Sequence, residues 1–256
     1  MNNLFDLSGK IALITGSSSG IGKAIAEAMG EHGATVIISS NDEAECQKVA
    51  IDFSEKGISV VAIPCDVSKK EEIDVLIEEI LEKFGQIDIL VSCVGVAVPK
   101  SFLDISANDF EKTMSINLQS AIYLSKLVIP EMVKNKNGVI IYLASIAGVR
   151  GNKSLGLYGI SKAGLIQLAR NLAVEFGPDN IRVNTISPGM IDTPFSQSLL
   201  ENKPFLEKRL ALTPLRRVGT PAEIAGVAVM LASKAGGFIT GQNIIIDGGI
   251  VISDGN

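Results

Sequence analysis

The chain has 256 residues, of which 46% are hydrophobic and 20% charged, and its formal net charge is -5. This composition is typical of a globular chain with a substantial core. No stretch concentrates Lys and Arg, so nucleic acid is excluded as an expected partner.

The cysteines and the single histidine exclude several kinds of site. Cys46, Cys65 and Cys93 have no CxxC spacing, which argues against a disulfide framework and a metal site. His32 lies at the end of a predicted helix, where it is a poor candidate for a catalytic base. The first residues do not resemble a signal peptide, and residues 139–149 are too short to span a bilayer. We therefore expect a cytoplasmic protein without membrane contact.

Seven short segments are rich in β-branched residues and lack polar alternation, as expected of strands that are covered on both faces. Segments with helical periodicity lie between them. The predicted strands span residues 11–14, 35–38, 60–63, 87–91, 139–143, 181–186 and 244–246. The predicted helices span residues 21–30, 71–84, 110–134, 155–176 and 222–233.

This alternation predicts an α/β fold with a parallel sheet and right-handed crossovers, doubly wound and flanked by helices. No linker or repeat interrupts it, so we expect one domain over residues 1–256. Residues 188–219 contain Pro194, Pro204 and Pro214 and show no clear periodicity. Long irregular stretches in compact domains often cover a binding site, and we predict a substrate lid here.

A glycine-rich turn joins the first predicted strand to the first predicted helix. Gly16, Gly20 and Gly22 allow a tight turn and a close approach to a pyrophosphate. The helix that follows offers free N–H groups and the positive end of its dipole. The position of this turn near the start of the chain predicts dinucleotide binding.

Tyr158 and Lys162 are four residues apart in a predicted helix and therefore share one face. Tyrosine is a poor acid or base at neutral pH, and a nearby ammonium lowers its pKa by favouring phenolate. Taken alone this spacing is common, and a solvated helix face is the alternative interpretation. Ser145 just beyond the fifth predicted strand and Asn117 on the preceding helix favour a catalytic group.

The glycine spacing and the Asn117, Ser145, Tyr158 and Lys162 pattern resemble the short-chain dehydrogenase/reductase family. The resemblance covers nearly the whole chain, and it is strongest to 3-oxoacyl-carrier-protein reductases and NADP-dependent carbonyl reductases. It implies a single Rossmann domain with a seven-stranded parallel sheet. It also implies an enzyme that reversibly reduces a ketone or aldehyde by hydride transfer from NAD(P)H.

The resemblance implies a role for each residue of the pattern. Tyr158 exchanges a proton with the carbonyl or alcohol oxygen, and Ser145 orients that oxygen. Lys162 lowers the pKa of Tyr158, binds the nicotinamide ribose and connects to Asn117 through water. The implied cofactor contacts are Gly16, Ser18, Ser19, Gly20, Ile21, Ser40, Asn41, Asp66, Val67, Gly95, Tyr158, Lys162, Pro188, Gly189, Ile191 and Thr193.

Two segments depart from the family pattern. Ser92 and Cys93 replace two asparagines after the fourth strand, which leaves Cys93 either as a small buried residue or as a reactive thiol. Ser40 stands where an acid would select NAD, and Asn41 where an arginine would select NADP. NADP is slightly favoured over NAD, because no acid is present to repel its phosphate.

The substrate is expected to be a small apolar carbonyl or alcohol. The residues expected around it are mainly apolar, and they are Val96, Val98, Phe102, Ile146, Val149, Met190, Phe195 and Leu199. Arg150 is a candidate for holding an anionic group, although a structural contact is the more common role. A carrier-protein substrate has thin support in Lys134 and Lys136.

The family resemblance also implies a homotetramer. Two other functions stay open at this point. The chain could be a nucleotide-sensing or scaffold protein on the same fold, although an inactive site has no chemical need for all four residues of the pattern. An epimerase or dehydratase would use a similar Tyr–Lys pair, usually with a longer C-terminal region.

Overall fold

Seven parallel strands form one sheet in the computed structural model, which describes residues 3–253. The strands are β1 (Ile11–Thr15), β2 (Thr35–Ser39), β3 (Val60–Ala62), β4 (Ile89–Ser92), β5 (Gly138–Leu143), β6 (Ile181–Pro188) and β7 (Asn243–Ile246). Their order across the sheet is β3-β2-β1-β4-β5-β6-β7. The chain therefore reverses its direction of winding between β3 and β4, and the doubly wound α/β prediction is confirmed.

Helices cover both faces of the sheet. They are α1 (Gly20–Glu31), α2 (Glu43–Glu55), α3 (Lys70–Phe84), α4 (Ala107–Met114), α5 (Ser120–Asn135), α6 (Gly156–Phe176), α7 (Gln197–Glu201), α8 (Lys203–Ala211) and α9 (Pro221–Ala232). One core packs the sheet against α1, α2 and α9, and the other packs it against α3, α5 and α6. Alternate residues of β1 serve the two cores, with Ala12 and Ile14 in the first and Ile11 and Leu13 in the second. None of the helices within residues 3–253 has the length and hydropathy needed to cross a bilayer.

The long helix predicted over residues 110–134 is two helices with a wider turn between them. Ser115–Gln119 forms a π-helical turn between α4 and α5. At its end the Ser120 N–H donates to the carbonyl of Ser115, five residues earlier. A π-turn is a single turn within a longer helical stretch, too short to stand out in the apolar pattern of residues 110–134. The turn contains Asn117.

The prediction of an irregular segment over residues 188–219 is wrong in part, because it contains α7 and α8. Asn202 starts α8 by accepting a hydrogen bond from the N–H of Phe205 (3.2 Å), and Pro204 occupies the first turn. The helices are short and most of their residues are exposed, so they lack a strong apolar period. The apolar pattern does not predict α2 either, because only three of the 13 residues in that helix are buried.

His32 is the residue that follows α1. Its Nδ1 lies 2.8 Å from the carbonyl oxygen of Ala28 in the last turn of that helix. The expected position at a helix end is therefore confirmed.

Candidate active site

A cavity of about 540 Å³ opens at the carboxyl edge of the sheet. Because all strands run in one direction, the loops that follow β1 to β6 meet at this edge. With one exception, every catalytic or cofactor residue predicted from the sequence lines the cavity. The exception is Asn117, which is buried behind the wall.

The glycine turn forms the cavity wall beneath the start of α1. The backbone N–H groups of Gly16 and Ser17 donate to the carbonyl of Ser39, which ties the turn to β2. A Cβ atom on Gly22 would lie 2.1 Å from the carbonyl oxygen of Gly16, so only glycine fits this crossing. The first turn of α1 contains no acidic residue, and Ser19 caps none of its N–H groups with its side chain. The N–H groups in the first turn of α1 and the dipole of that helix suit the pyrophosphate of a dinucleotide.

The residues that follow β2 and β3 line one end of the cavity, and Tyr158 lines the other. Ser40 is buried, and its Oγ accepts a hydrogen bond from the N–H of Asp42 (3.2 Å). Asn41 is exposed at the rim. Asp66 accepts hydrogen bonds from the N–H (3.0 Å) and hydroxyl (2.7 Å) of Ser68. Polar side chains of this kind suit the adenosine part of a dinucleotide.

Asn117 connects three walls of the site. Its Oδ1 accepts from the N–H of Val96 (2.8 Å), and its Nδ2 donates to the carbonyl of Val96 (2.9 Å). Nδ2 also donates to the hydroxyl of Ser161 (3.0 Å), which in turn donates to the carbonyl of Tyr158 (2.8 Å). The side chain therefore joins the π-turn to the loop after β4 and to α6.

Lys162 points from α6 into the protein and is buried. Its Nζ donates to the carbonyl of Leu143 (2.7 Å) and lies 5.6 Å from the centroid of the Tyr158 ring. A Cβ atom on Gly95 would lie 3.1 Å from the same Nζ, so glycine leaves the ammonium room. Burial lowers the pKa of Lys162 to about 8.

Burial is the main influence on the pKa of the Tyr158 phenol. Burial raises its pKa, a hydrogen bond with Ser145 lowers it, and Cys93 raises it. The net shift is upward, opposite to the direction that the sequence predicts from Lys162. The reason is that the low-polarity surroundings disfavour phenolate and ammonium alike. In this site both groups are less easily charged than in water.

Ser145 and the aromatic ring of Phe195 lie beside Tyr158. Ser145 lies two residues after the end of β5 and begins a short helical turn by accepting a hydrogen bond from the N–H of Ala147 (3.1 Å). The Phe195 ring lies 6.3 Å from the Tyr158 ring, centroid to centroid. The Tyr158 phenol and the Ser145 hydroxyl therefore line the same cavity, and the apolar ring of Phe195 lies next to the Tyr158 ring.

Known proteins share both the sequence and the fold. A family sequence model described as Enoyl-(Acyl carrier protein) reductase matches residues 16–251. A tropinone reductase homolog of Arabidopsis thaliana is 39% identical over 254 residues, covering 99% of this chain and 83% of that one. The chain belongs to the short-chain dehydrogenase/reductase family.

Solved structures of the family agree with this assignment. A gluconate 5-dehydrogenase from Burkholderia cenocepacia J2315, in complex with NADP and tartrate, superimposes with a TM-score of 0.94 at 28% identity over 98% of each chain. A 7α-hydroxysteroid dehydrogenase complexed with NADH and 7-oxo glycochenodeoxycholic acid gives 0.92 at 37% identity, over 97% of this chain and 98% of that one. As a member of this family, the protein is an NAD(P)-dependent oxidoreductase that interconverts carbonyl and alcohol groups.

The departure from the family pattern at Ser92 and Cys93 is accommodated in the wall. Ser92 is buried in β4, where it pairs with Thr15 and Tyr142 of the neighbouring strands. Burial raises the pKa of the Cys93 thiol to about 12, although the nearby Lys162 lowers it. The thiol therefore stays protonated at neutral pH, which disfavours the reactive-thiol interpretation.

The expected substrate-pocket residues are only partly correct. Val96, Ile146, Met190, Phe195 and Leu199 line the cavity. Val98, Phe102 and Val149 do not, and the last two are exposed on the surface instead. Val98 is half-buried away from the cavity lining.

The sequence analysis missed Ser161, Phe205 and Arg209. Ser161 could have been found from its place directly before Lys162 in the family pattern. Phe205 and Arg209 fall within the predicted lid, but they lie on α8, which was not predicted as a helix, so the sequence did not single out these two residues.

The buried ammonium of Lys162 predicts a pH-dependent effect on stability. Its pKa of about 8 in the folded chain is below the ordinary 10.5. Between these values the unfolded chain binds the proton more readily, so this group's penalty is complete below about pH 8 and disappears as the pH rises. We expect Lys162→Met to raise the free energy of unfolding at neutral pH by at most about 3 kcal/mol.

The measurement is urea unfolding of the cofactor-free protein at several pH values. The gain should shrink as the pH rises from about 8 towards 10.5. Lys208→Met removes an exposed lysine and serves as the control, with no pH-dependent difference. A gain for Lys162→Met that is independent of pH would contradict the burial argument.

Proposed function

We propose that Tyr158 is the general acid and base in the reversible reduction of a ketone or aldehyde by this protein, with Ser145, Lys162 and Asn117 as its partners. The observation that carries this proposal is that Tyr158 and Ser145 both line the cavity that begins at the glycine turn, with the buried ammonium of Lys162 5.6 Å from the centroid of the Tyr158 ring. A carbonyl oxygen held between the two hydroxyls would accept hydrogen bonds from both. The cofactor, when bound, supplies the hydride.

Each residue has a separate task in this proposal. Tyr158 donates its proton to the carbonyl oxygen in reduction and accepts one from the alcohol in oxidation. Ser145 donates a hydrogen bond that orients the oxygen. Lys162, fixed by the Leu143 carbonyl, would hold the nicotinamide ribose, and Asn117 positions α6 through Ser161. Because burial raises the pKa of Tyr158, its protonated form predominates at neutral pH, as the role of acid in reduction requires.

We also propose that residues 188–219 act as a lid within one domain formed by the whole chain. Phe195, Leu199 and Phe205 come from this segment and line the cavity, although each side chain is well exposed. Closure over a substrate would bury these apolar surfaces. A small apolar carbonyl or alcohol suits such walls. A carrier-protein substrate, as in 3-oxoacyl-carrier-protein reductases, stays a prediction.

NADPH is the proposed preferred cofactor, in a cytoplasmic protein with reduced thiols. Ser40 and Asn41 line the adenosine end, and neither side chain carries a carboxylate that would repel a 2'-phosphate. NADP in the gluconate 5-dehydrogenase and NADH in the hydroxysteroid dehydrogenase are both compatible with the family fold. The three cysteines are free thiols, which suits a reducing compartment.

Replacement of Tyr158 tests the proposed chemistry. We expect Tyr158→Phe to lower kcat about a hundredfold or more, because the ring remains but the transferable proton is lost. Binding of NADPH, followed by fluorescence titration, should be unchanged. Tyr123→Phe removes a hydroxyl that lies outside the cavity and accepts a hydrogen bond from Gln119, and this control should keep full activity. Near-normal turnover by Tyr158→Phe would exclude Tyr158 as the acid.

Charges introduced at positions 40 and 41 test the proposed preference for NADPH. The wild-type protein should show a higher kcat/KM with NADPH than with NADH. Ser40→Asp should reverse this preference and Asn41→Arg should increase it, each by about tenfold or more. Ser54→Asp adds the same charge on the exposed side of α2 and is the matched control. A strong NADH preference in the wild type would contradict the assignment.

The family's tetrameric assembly is proposed for this chain as well. Ile122 on α5 and Val174 on α6 expose apolar side chains, and the exposed Phe238 lies shortly before β7. Light scattering should give four chains of 27.0 kDa. Val174→Lys should reduce the mass, whereas Ile51→Lys on the exposed side of α2 should not. A monomeric wild type would contradict this proposal.

A further inference from the structure

Two arginines line the part of the cavity formed by the Ser145 turn and the lid. Arg150 follows the short helical turn that begins at Ser145. Arg209 lies on α8, within the segment 188–219. Burial lowers the pKa of Arg209, and the charge of Arg150 lowers it further although the two residues are distant in the sequence.

Neither guanidinium has a hydrogen-bond or ion-pair partner within residues 3–253. The other four arginines in that range all have one. Arg182 donates to backbone carbonyls, and Arg217 pairs with Glu223. Arg170 donates to Gln167, and Arg216 to carbonyls at the end of α8. The two arginines without partners are therefore the two that face the cavity.

The charges around the cavity point to an anion. Asp66, at the adenosine end, is the one acidic residue among the described residues that line it. Asp247 raises the pKa of Arg209, but its carboxylate accepts hydrogen bonds from the N–H groups of Gly249 and Val251 (both 2.8 Å). The chain as a whole has a net charge of -5, so a cationic region here is not a general property of its surface.

We propose that Arg150 and Arg209 together bind a carboxylate of the substrate, so that the substrate is an oxo acid or the corresponding hydroxy acid. This inference rests on the proposed function of Tyr158. Two like charges that are partly removed from water repel each other, and a bound carboxylate removes that repulsion. The planar guanidinium accepts a carboxylate through paired hydrogen bonds. Apolar side chains from the lid would contact the carbon chain between the carboxylate and the carbonyl.

The dinucleotide phosphates are the competing occupant of these arginines. They already have donors in the glycine turn and the first turn of α1, which follow β1, and β4 separates β1 from β5 and the Ser145 turn. A substrate group has no other cation within the described residues of the cavity except Lys162, which donates to Leu143. Because the phosphates have donors of their own, a substrate group is the favoured ligand of Arg150 and Arg209.

Matched acid and ester substrates test the inference. Levulinate and longer straight-chain oxo acids are compared with their methyl esters, using NADPH and the whole protein. We expect the wild type to prefer the acids in kcat/KM by about tenfold or more. Arg150→Gln and Arg209→Gln should each remove about tenfold on the acids and leave the esters unchanged. Lys208→Gln removes a neighbouring exposed charge on α8 and should change neither.

The outcomes separate this inference from the proposed function. Equal rates for acids and esters, with loss in Tyr158→Phe, would overturn the carboxylate site and leave the acid–base assignment intact. A raised KM for NADPH in the arginine variants would assign them to the cofactor and overturn the inference. If no substrate is reduced, calorimetric titration of levulinate into the NADPH complex decides, because the inference requires binding that the double Arg→Gln variant loses.

Discussion

The common direction of the seven strands is the constraint on which the site depends. A parallel sheet brings the loops that follow its strands to one edge, and here that edge carries residues from β1 to β6. Residues as far apart in the chain as Gly16 and Thr193 therefore border one cavity. The reversal of winding between β3 and β4 opens a crevice at that edge, and the glycine turn and Ser40 lie on one side of it while Tyr158 lies on the other.

Burial decides the electrostatics of the catalytic end. Tyr158, Lys162 and Cys93 all have pKa values shifted towards their neutral forms, by the same loss of contact with water. The shared cause is a low-polarity region in which a developing charge must be stabilised by fixed donors rather than by solvent. Asn117 helps to hold these groups in place, because its side-chain amide hydrogen-bonds to the backbone of Val96 and to the Ser161 hydroxyl.

The cofactor end and the substrate end use different sources of positive potential. At the glycine turn, backbone donors and a helix dipole provide it without a formal charge. At the other end, Arg150 and Arg209 carry two full charges, and Arg209 lies on α8 within the segment proposed as a lid. The glycine turn faces the pyrophosphate, which NAD and NADP share, whereas the proposed arginine pair would distinguish charged from neutral substrates.

Local patterns in the sequence determined the strand–helix alternation, the glycine turn and the Tyr158–Lys162 spacing, because each depends on residues close together in the chain. The family resemblance added Asn117, Ser145 and the cofactor contacts. The tertiary structure alone decided that Asn117 lies in a π-turn behind the cavity, that α8 brings Arg209 towards Arg150, and that the pKa of Tyr158 rises. These features depend on burial and on contacts between distant segments, which periodicity and spacing do not encode.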